Sequence, residues 1–420
     1  MIRFNTLLSG ILLPAALALC ALFFLIYLKG APFSTFLSDL RGLGASKRSA
    51  SAPIKGACLA LAGTLGVGNM VGVAAAIKEG GAGVLFWMWV SSFAAMVVKY
   101  AEIKLSIRRR VAGKEGFEGG AMYYMPHACG VCFALLCLIC AFSVGGGMQS
   151  SAFCALFAGG RQGAGILFPL AAGVLLCLPL SAVLFMGKGR ISDLTAWLVP
   201  LMSLLYLFLC LGVLIRYRKA LPAAFTQILS SAFRPQSALL GGGAGLLTTL
   251  RLGVVRVILS NEAGCGTAPM AHSAYGSEHA GAQGALGAVE VAFDTLFLCT
   301  LTGLCLLVYP QCLQADSGMG ALLHVFVSVF GRGARPLLAI AIYFFALATL
   351  LCWSFYGRRC LSFLFKEKKT DRIFDLLFLL AVLICPFLKE EWVLAVADPT
   401  IASMTLLNLF FLFVHRRRLR

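Results

Sequence analysis

Apolar residues run along this chain in stretches about twenty positions long, separated by short polar or glycine-rich connections. A helical stretch of that length matches the hydrocarbon thickness of a bilayer. The pattern predicts eleven membrane-spanning helices, near 6–28, 54–77, 83–107, 128–158, 164–186, 193–215, 239–259, 285–309, 335–365, 372–388 and 392–415. Residues 220–232 are amphipathic and are expected to lie in the membrane interface, and 319–330 is too short to cross. The longest connections, 29–53, 108–126, 260–283 and 310–334, leave no room for a soluble domain.

Two spans carry glycine where a helix tolerates it least. Gly63, Gly66, Gly68 and Gly72 fall within ten positions, with Thr64 and Asn69 among them, and GGGAG occupies 241–245. Glycine loses the most backbone freedom on ordering and brings no side chain to pack. Backbone left without a partner in a bilayer costs several kcal/mol, so a break at mid-depth survives only inside protein or facing a wet cavity. Setting the first helix aside, ten spans divide as five and five, and the first of each five is glycine-broken. Because five is odd, the second half runs opposite to the first. Small-residue packing accounts for one such segment alone. Two at matching positions point to an inverted-repeat transporter site.

Composition agrees with a polytopic membrane protein: 60% of the 420 residues are hydrophobic and 12% charged, and mean hydropathy is +0.91. The net charge of +18 raises nucleic acid as a partner, but its placement argues against it. The basic residues gather at span ends, at Arg41, Lys47, Arg48 and Lys55, at Arg108–Arg110, at Lys188 and Arg190, at Arg358–Lys369 and at Arg416–Arg420. With eleven spans these all fall on one side. The positive-inside rule then sets the N-terminus outside and the C-terminus in the cytoplasm of a cell-membrane protein, with Arg216, Arg218 and Lys219 the main dissent. Most of the sixteen cysteines sit singly in apolar spans and read as small hydrophobes. The first span is longer than a signal peptide's core and its basic flank follows it, so it reads as a retained helix.

Several segments resemble the alanine or glycine:cation symporters, the sodium:alanine symporter family. GTLGVGNMVGVAAAIKEGGAGVLFWMWV at 63–90 is similar to that family's G-T-G-N-I-A-G-V-A block and the G-G-P-G-A-V-F-W-M-W-V that follows it. GFEGGAMYYM at 116–125 resembles its G-G-P-M-Y-Y-I loop, and LSNEAGCGTAPMAHSAY at 259–275 its F-S-N-E-A-G motif. VEVAFDTLFLCTLTGL at 289–304 and FALATLLCWSFYGRRCLSFLF at 345–365 follow it too, so the likeness runs in order from about 54 to 410. It implies an all-α, inverted-repeat (5+5) transporter fold with one extra helix. On that reading 1–53 holds the extra helix and linker, 54–218 and 219–415 are the two repeats, and 416–420 is a basic tail. The implied activity is uptake of a small neutral amino acid, alanine or glycine, driven by sodium, with no cofactor. Val67 departs from the family's usual threonine, Ala121 from a proline and Val257 from a glycine, which leaves substrate and cation choice less constrained than the fold.

A zwitterionic amino acid needs amide donors for its carboxylate, and a sodium ion needs oxygen ligands. The break supplies both in prospect: amides at Gly66, Val67 and Gly68 for the carboxylate, beside Thr64, and carbonyls at Ala62 and Leu65 for the cation. Asn69 either ligates an ion or caps the second half-helix. Gln149 is either a substrate contact or an interhelical hydrogen bond, and Gly243 belongs to the second break. By resemblance, Thr349 and Trp353, four apart on one face, line the pocket, with Trp353 limiting substrate size and Ser354 adding a hydroxyl to the cation site. Glu290 and Asp294 are also four apart and are expected to form structural or gating ion pairs with Arg251 and Arg256. The residues 260–269 lack the phosphate-loop pattern and are expected to form a tight cytoplasmic turn. The histidines show no metal spacing. An enzyme needs a convergent acid, base or nucleophile set, and Glu290 with Asp294 is the sole candidate. Proton coupling to another small amino acid is the alternative; a non-transporting sensor would bring an output domain.

Overall fold

Each long apolar run is helical in the computed structural model of the chain, which describes residues 11–36, 38, 51–113, 116–157, 165–186, 189–233, 245–275, 279–365, 368–388 and 390–419. In chain order the main helices are α1 (Leu13–Tyr27), α2 (Ser51–Thr64), α3 (Gly68–Gly80), α4 (Gly83–Arg109), α5 (His127–Leu156), α6 (Leu167–Met186) and α7 (Gly189–Arg216). There follow α8 (Leu221–Ala232), α9 (Leu246–Asn261), α10 (Ala268–Tyr275), α11 (Ala280–Leu307) and α12 (Gly318–Phe330), then α13 (Ala334–Leu364), α14 (Lys368–Ile384) and α15 (Glu390–Val414).

Among the described residues, seven helical stretches are long and apolar enough to cross a membrane, with α12 and α13 counted as one stretch. The bent pair α2 and α3 makes an eighth. The helices α1, α9 and α14 have 15, 16 and 17 residues. At about 1.5 Å per residue they fall short of the roughly 30 Å hydrocarbon layer. Part of the span expected at 239–259 lies outside the described residues, including Gly243 and all of GGGAG but Gly245, which enters α9 in an extended conformation.

Between α4 and the next span the glycine-rich connection forms a two-stranded hairpin, β1 (Val111–Gly113) with β2 (Gly116–Glu118), which the apolar pattern does not foretell. The residues 260–269, expected to form a tight turn, hold a buried turn, and α10 begins at Ala268 within them. The amphipathic α8 lies across the start of α4, where the Trp87 indole donates to the Ala232 carbonyl at 3.0 Å. All sixteen cysteines are free thiols.

The broken pair is enclosed. α2 packs on α7, α10 and α13, α3 packs on α9 and α12, and α4 lies along α11. Among the described residues, basic span ends make contacts from one element to another. Arg108, at the end of α4, donates to the Arg418 carbonyl, and the hairpin's Glu118 lies 3.5 Å from Arg359. Arg358 pairs with Asp375 and reaches the Leu184 carbonyl at the end of α6, while Lys55 at the start of α2 meets Asp193 at the start of α7.

Candidate functional site

The break is a local consequence of glycine. Beyond Thr64 the regular ladder gives out: the Gly66 amide turns back to the Thr64 carbonyl at 2.9 Å, and helical bonding resumes with Asn69 and Met70 donating to Gly66 and Val67. The two half-helices meet at 53°. Asn69 stabilises this bend, donating from Nδ2 to the Thr64 carbonyl at 3.0 Å. Of the two roles the sequence left open, an ion ligand or a cap on the second half-helix, the cap is corrected: Asn69 reaches back to the last carbonyl of the first half, which also takes the Gly66 amide.

Two expected site residues, Gln149 and Thr349, converge on a third, Gly66. A Cβ there would sit 3.1 Å from both amide atoms of Gln149 and 3.2 Å from Thr349 Oγ1. Gln149 is buried and accepts from the Val67 amide at 3.1 Å, so one of the expected carboxylate donors is occupied by a side chain from α5. Thr349 Oγ1 lies 3.0 Å from the Ala62 and Phe345 carbonyls and shares its one hydrogen between them. α5 presents Gln149 at the end of an overwide turn, Ala141–Met148, with i→i+5 bonding. Such turns recur at functional sites, and Gly145–Gly147 make this one easy to form.

Trp353 closes the same region. Gly145 lies directly against it, where any Cβ would overlap the Trp353 side chain, and the indole stands edge-on to Tyr356 at 5.6 Å. Trp353 is 1% exposed, and its Nε1 has no hydrogen-bond partner among the described residues. A buried donor without a partner costs free energy, so the indole NH is available to a ligand. Ser354 is turned back on its own helix, donating to the Leu351 carbonyl at 2.7 Å. Leu65 is fully buried in the break. Gly68 differs from its neighbours: a Cβ there meets no described atom within 4 Å, so open space adjoins the break at this position.

A second cluster lies behind Asn69. The buried carboxylate of Asp294 accepts from Asn69 Nδ2 and Ser260 Oγ, and Thr295 Oγ1 reaches it at 3.3 Å. Ser260 also lies 2.9 Å from Asn69 Oδ1. The Thr64 carbonyl, Asn69, Ser260 and Asp294 thus form a dense set of oxygens at the bend, the donor type an alkali cation prefers. Asp294 is carried by a second overwide turn, Ala292–Cys299 in α11. Arg256 donates to the Gly68 carbonyl at 3.0 Å, and its guanidinium fills the place where a Gly72 side chain would stand.

The bases beside Glu290 come from α10 and α4. Its carboxylate lies 2.8 Å from His272 Nε2 and 3.9 Å from Lys99 Nζ. Lys99 in turn donates to the Asn261 carbonyl at 2.7 Å. Arg251 forms no ion pair among the described residues. Below the site, the turn Glu262–Thr267 is buried and folds around Glu102, whose oxygens accept the Gly264 and Gly266 amides at 3.2 and 3.1 Å and Asn408 Nδ2 at 2.9 Å. Sequence reasoning passed over Ser260, Lys99, Glu102 and His272. The signal was there for two of them, since Lys99 and Glu102 are charges three apart inside the apolar run 83–107 and default to functional suspicion.

A half-helix pair with polar groups from four other helices around its bend is the architecture of a transporter site. The family model described as the sodium:alanine symporter family matches residues 1–417. The chain belongs to that family. It is a multi-pass membrane protein of a family of cation-coupled amino-acid symporters. The sodium/alanine symporter AgcS of Methanococcus maripaludis is 33% identical over 371 residues, 84% of this chain and 80% of that one. A probable sodium/glutamine symporter, GlnT of Bacillus subtilis, is 30% identical over 380 residues, 88% and 78% of the two chains. In fold this member resembles a sodium-coupled sialic acid symporter solved in a substrate-bound, outward-open state. The TM-score is 0.59 at 12% identity, over 93% of this chain and 86% of the other.

Proposed function

We propose that this protein takes up a small neutral amino acid, alanine or glycine, with sodium as the coupling ion. Alternating access occurs between two inverted five-helix repeats in an eleven-span chain, the N-terminus outside and the C-terminus cytoplasmic. The observation that carries the reading is the broken α2–α3 pair with Gly66, Gln149 and Thr349 gathered on one side of the bend and oxygens on the other. The substrate carboxylate is taken by break amides, with Gln149 releasing or sharing the Val67 amide. Its side chain faces Trp353, and open space beside Gly68 admits it. Sodium is ligated around the bend by the Thr64 carbonyl, Asn69, Ser260 and Asp294, in addition to the Ala62 and Leu65 carbonyls and the Ser354 hydroxyl expected from sequence.

The inverted repeat is supported by pairing: α4 lies along α11 and α3 along α9, equivalent members of the two halves. A relative named for glutamine raises a larger passenger. Trp353, fully buried against Gly145, supports the smaller one. A binding ligand stabilises the folded state by mass action. Purified protein should therefore melt several degrees higher with alanine or glycine when sodium is present, and glutamine should do little. Stabilisation by glutamine alone, or by alanine equally well in choline, contradicts the assignment.

A further inference from the structure

Six arginines from distant parts of the sequence meet at one corner of the bundle. Arg108, Arg109 and Arg110 finish α4 and lead into the hairpin, while Arg416, Arg417 and Arg418 form the turn after α15. The two triplets are held together. Arg108 Nη1 donates to the Arg418 carbonyl, and Leu419, just beyond, is fully buried. The C-terminal turn is therefore seated on the end of α4, at the cost of crowding like charges.

Arg109, Arg416, Arg417 and Arg418 form no ion pair among the described residues, and the Arg109 Nε atom is buried with no hydrogen-bond partner. Glu118, on β2 of the neighbouring hairpin, is taken by Arg359, Tyr123 and Ser362. Burial, and then the charges of Arg109 and Arg418, hold the His415 pKa below the ordinary histidine value.

The other half of the corner is apolar and open. Phe410, Phe413 and Val414, on the last turns of α15, are 59%, 43% and 44% exposed. The Arg416 guanidinium lies over the Phe413 ring at 4.8 Å, and Arg110 over Phe117 at 3.8 Å. Cationic forks thus border an exposed hydrocarbon face where two apolar helices end, the level at which headgroups lie. Arginine recognises phosphate bidentately.

We propose that this corner binds the headgroup phosphate of an anionic phospholipid, its acyl chains lying along Phe410, Phe413 and Val414. Basic residues near a membrane attract anionic lipid diffusely; this corner is distinguished by two triplets fixed against each other and by the apolar face continuous with them. A soluble phosphate would use the forks but not that face.

The test uses the full chain in detergent with phosphatidylglycerol or phosphatidylcholine of identical acyl chains. Phosphatidylglycerol is expected to raise the melting midpoint by several degrees more than phosphatidylcholine. In R109Q/R418Q most of that increment should vanish while the midpoint in phosphatidylcholine stays unchanged. Should that variant melt lower in phosphatidylcholine, native mass spectrometry of the wild type decides, and preferential retention of phosphatidylglycerol adducts supports the site. Equal effects of the two lipids, equal adducts, an undiminished increment in the variant, or the same increment from inorganic phosphate would each overturn it.

Discussion

Gly66 and Gly68 are two positions apart yet stand in opposite surroundings, and substitution should separate them. A methyl group at Gly66 would press on the amide of Gln149 and the hydroxyl of Thr349 at 3.1–3.2 Å. G66A is expected to lower alanine uptake at least tenfold, a barrier of about 1.4 kcal/mol, in protein that still inserts. At Gly68 a Cβ meets no described atom, so G68A should leave the melting midpoint unchanged, while G68F fills the space and abolishes the alanine-induced thermal shift. Normal alanine affinity in G68F would refute the role given to the break. Gln149 is legible from the sequence as a polar side chain in an apolar span, but its bond to Val67 is not. That contact joins positions 82 apart and depends on how α5 meets the bend. Trp353 makes a further prediction: W353A should increase inhibition of alanine uptake by glutamine. An unchanged ratio of the two inhibition constants would show that the indole does not set substrate size.

Between elements, the bend in α2–α3 is held from behind by α9 and α11. D294N keeps the shape of the side chain but removes the charge that Asn69, Ser260 and Thr295 surround. It should raise the sodium concentration for half-maximal uptake about tenfold, a loss of about 1.4 kcal/mol. An unaltered sodium dependence would place the coupling ion elsewhere. At Gly72 the Arg256 guanidinium, reaching over from α9, stands in the space a side chain would need. G72A must displace that group and is expected to lower the melting midpoint, as G68A should not. The four-residue spacing of Glu290 and Asp294 correctly puts both on one helix, yet spacing says nothing of what faces it. Glu290 meets His272 and Lys99, carried by elements that the apolar pattern treated as a connection and as plain span. Long-range partners are chosen by packing, and periodicity along one helix carries no record of them.

For the whole molecule, the apolar rhythm recovers most helices because membrane spans are constrained by length alone. It fails where length is not the constraint, at the Val111–Glu118 hairpin and at the short helix α10 buried behind Glu102. The basic span ends were legible as a topological signal, and among the described residues Lys55, Arg108, Arg358 and Arg359 each make contacts to another element. Their cooperation at the C-terminal corner was not legible, since it requires Arg108 and Arg418 to meet across the fold. The central claim is that a sodium gradient drives a small amino acid through the site at the α2–α3 break. Uptake of labelled alanine into proteoliposomes, with an inward sodium gradient and with an inward proton gradient in sodium-free buffer, tests it most directly. Concentrative uptake with sodium, absent in the proton arm and absent in G68F, is the expected result; uptake indifferent to sodium, or driven as well by protons alone, would contradict it.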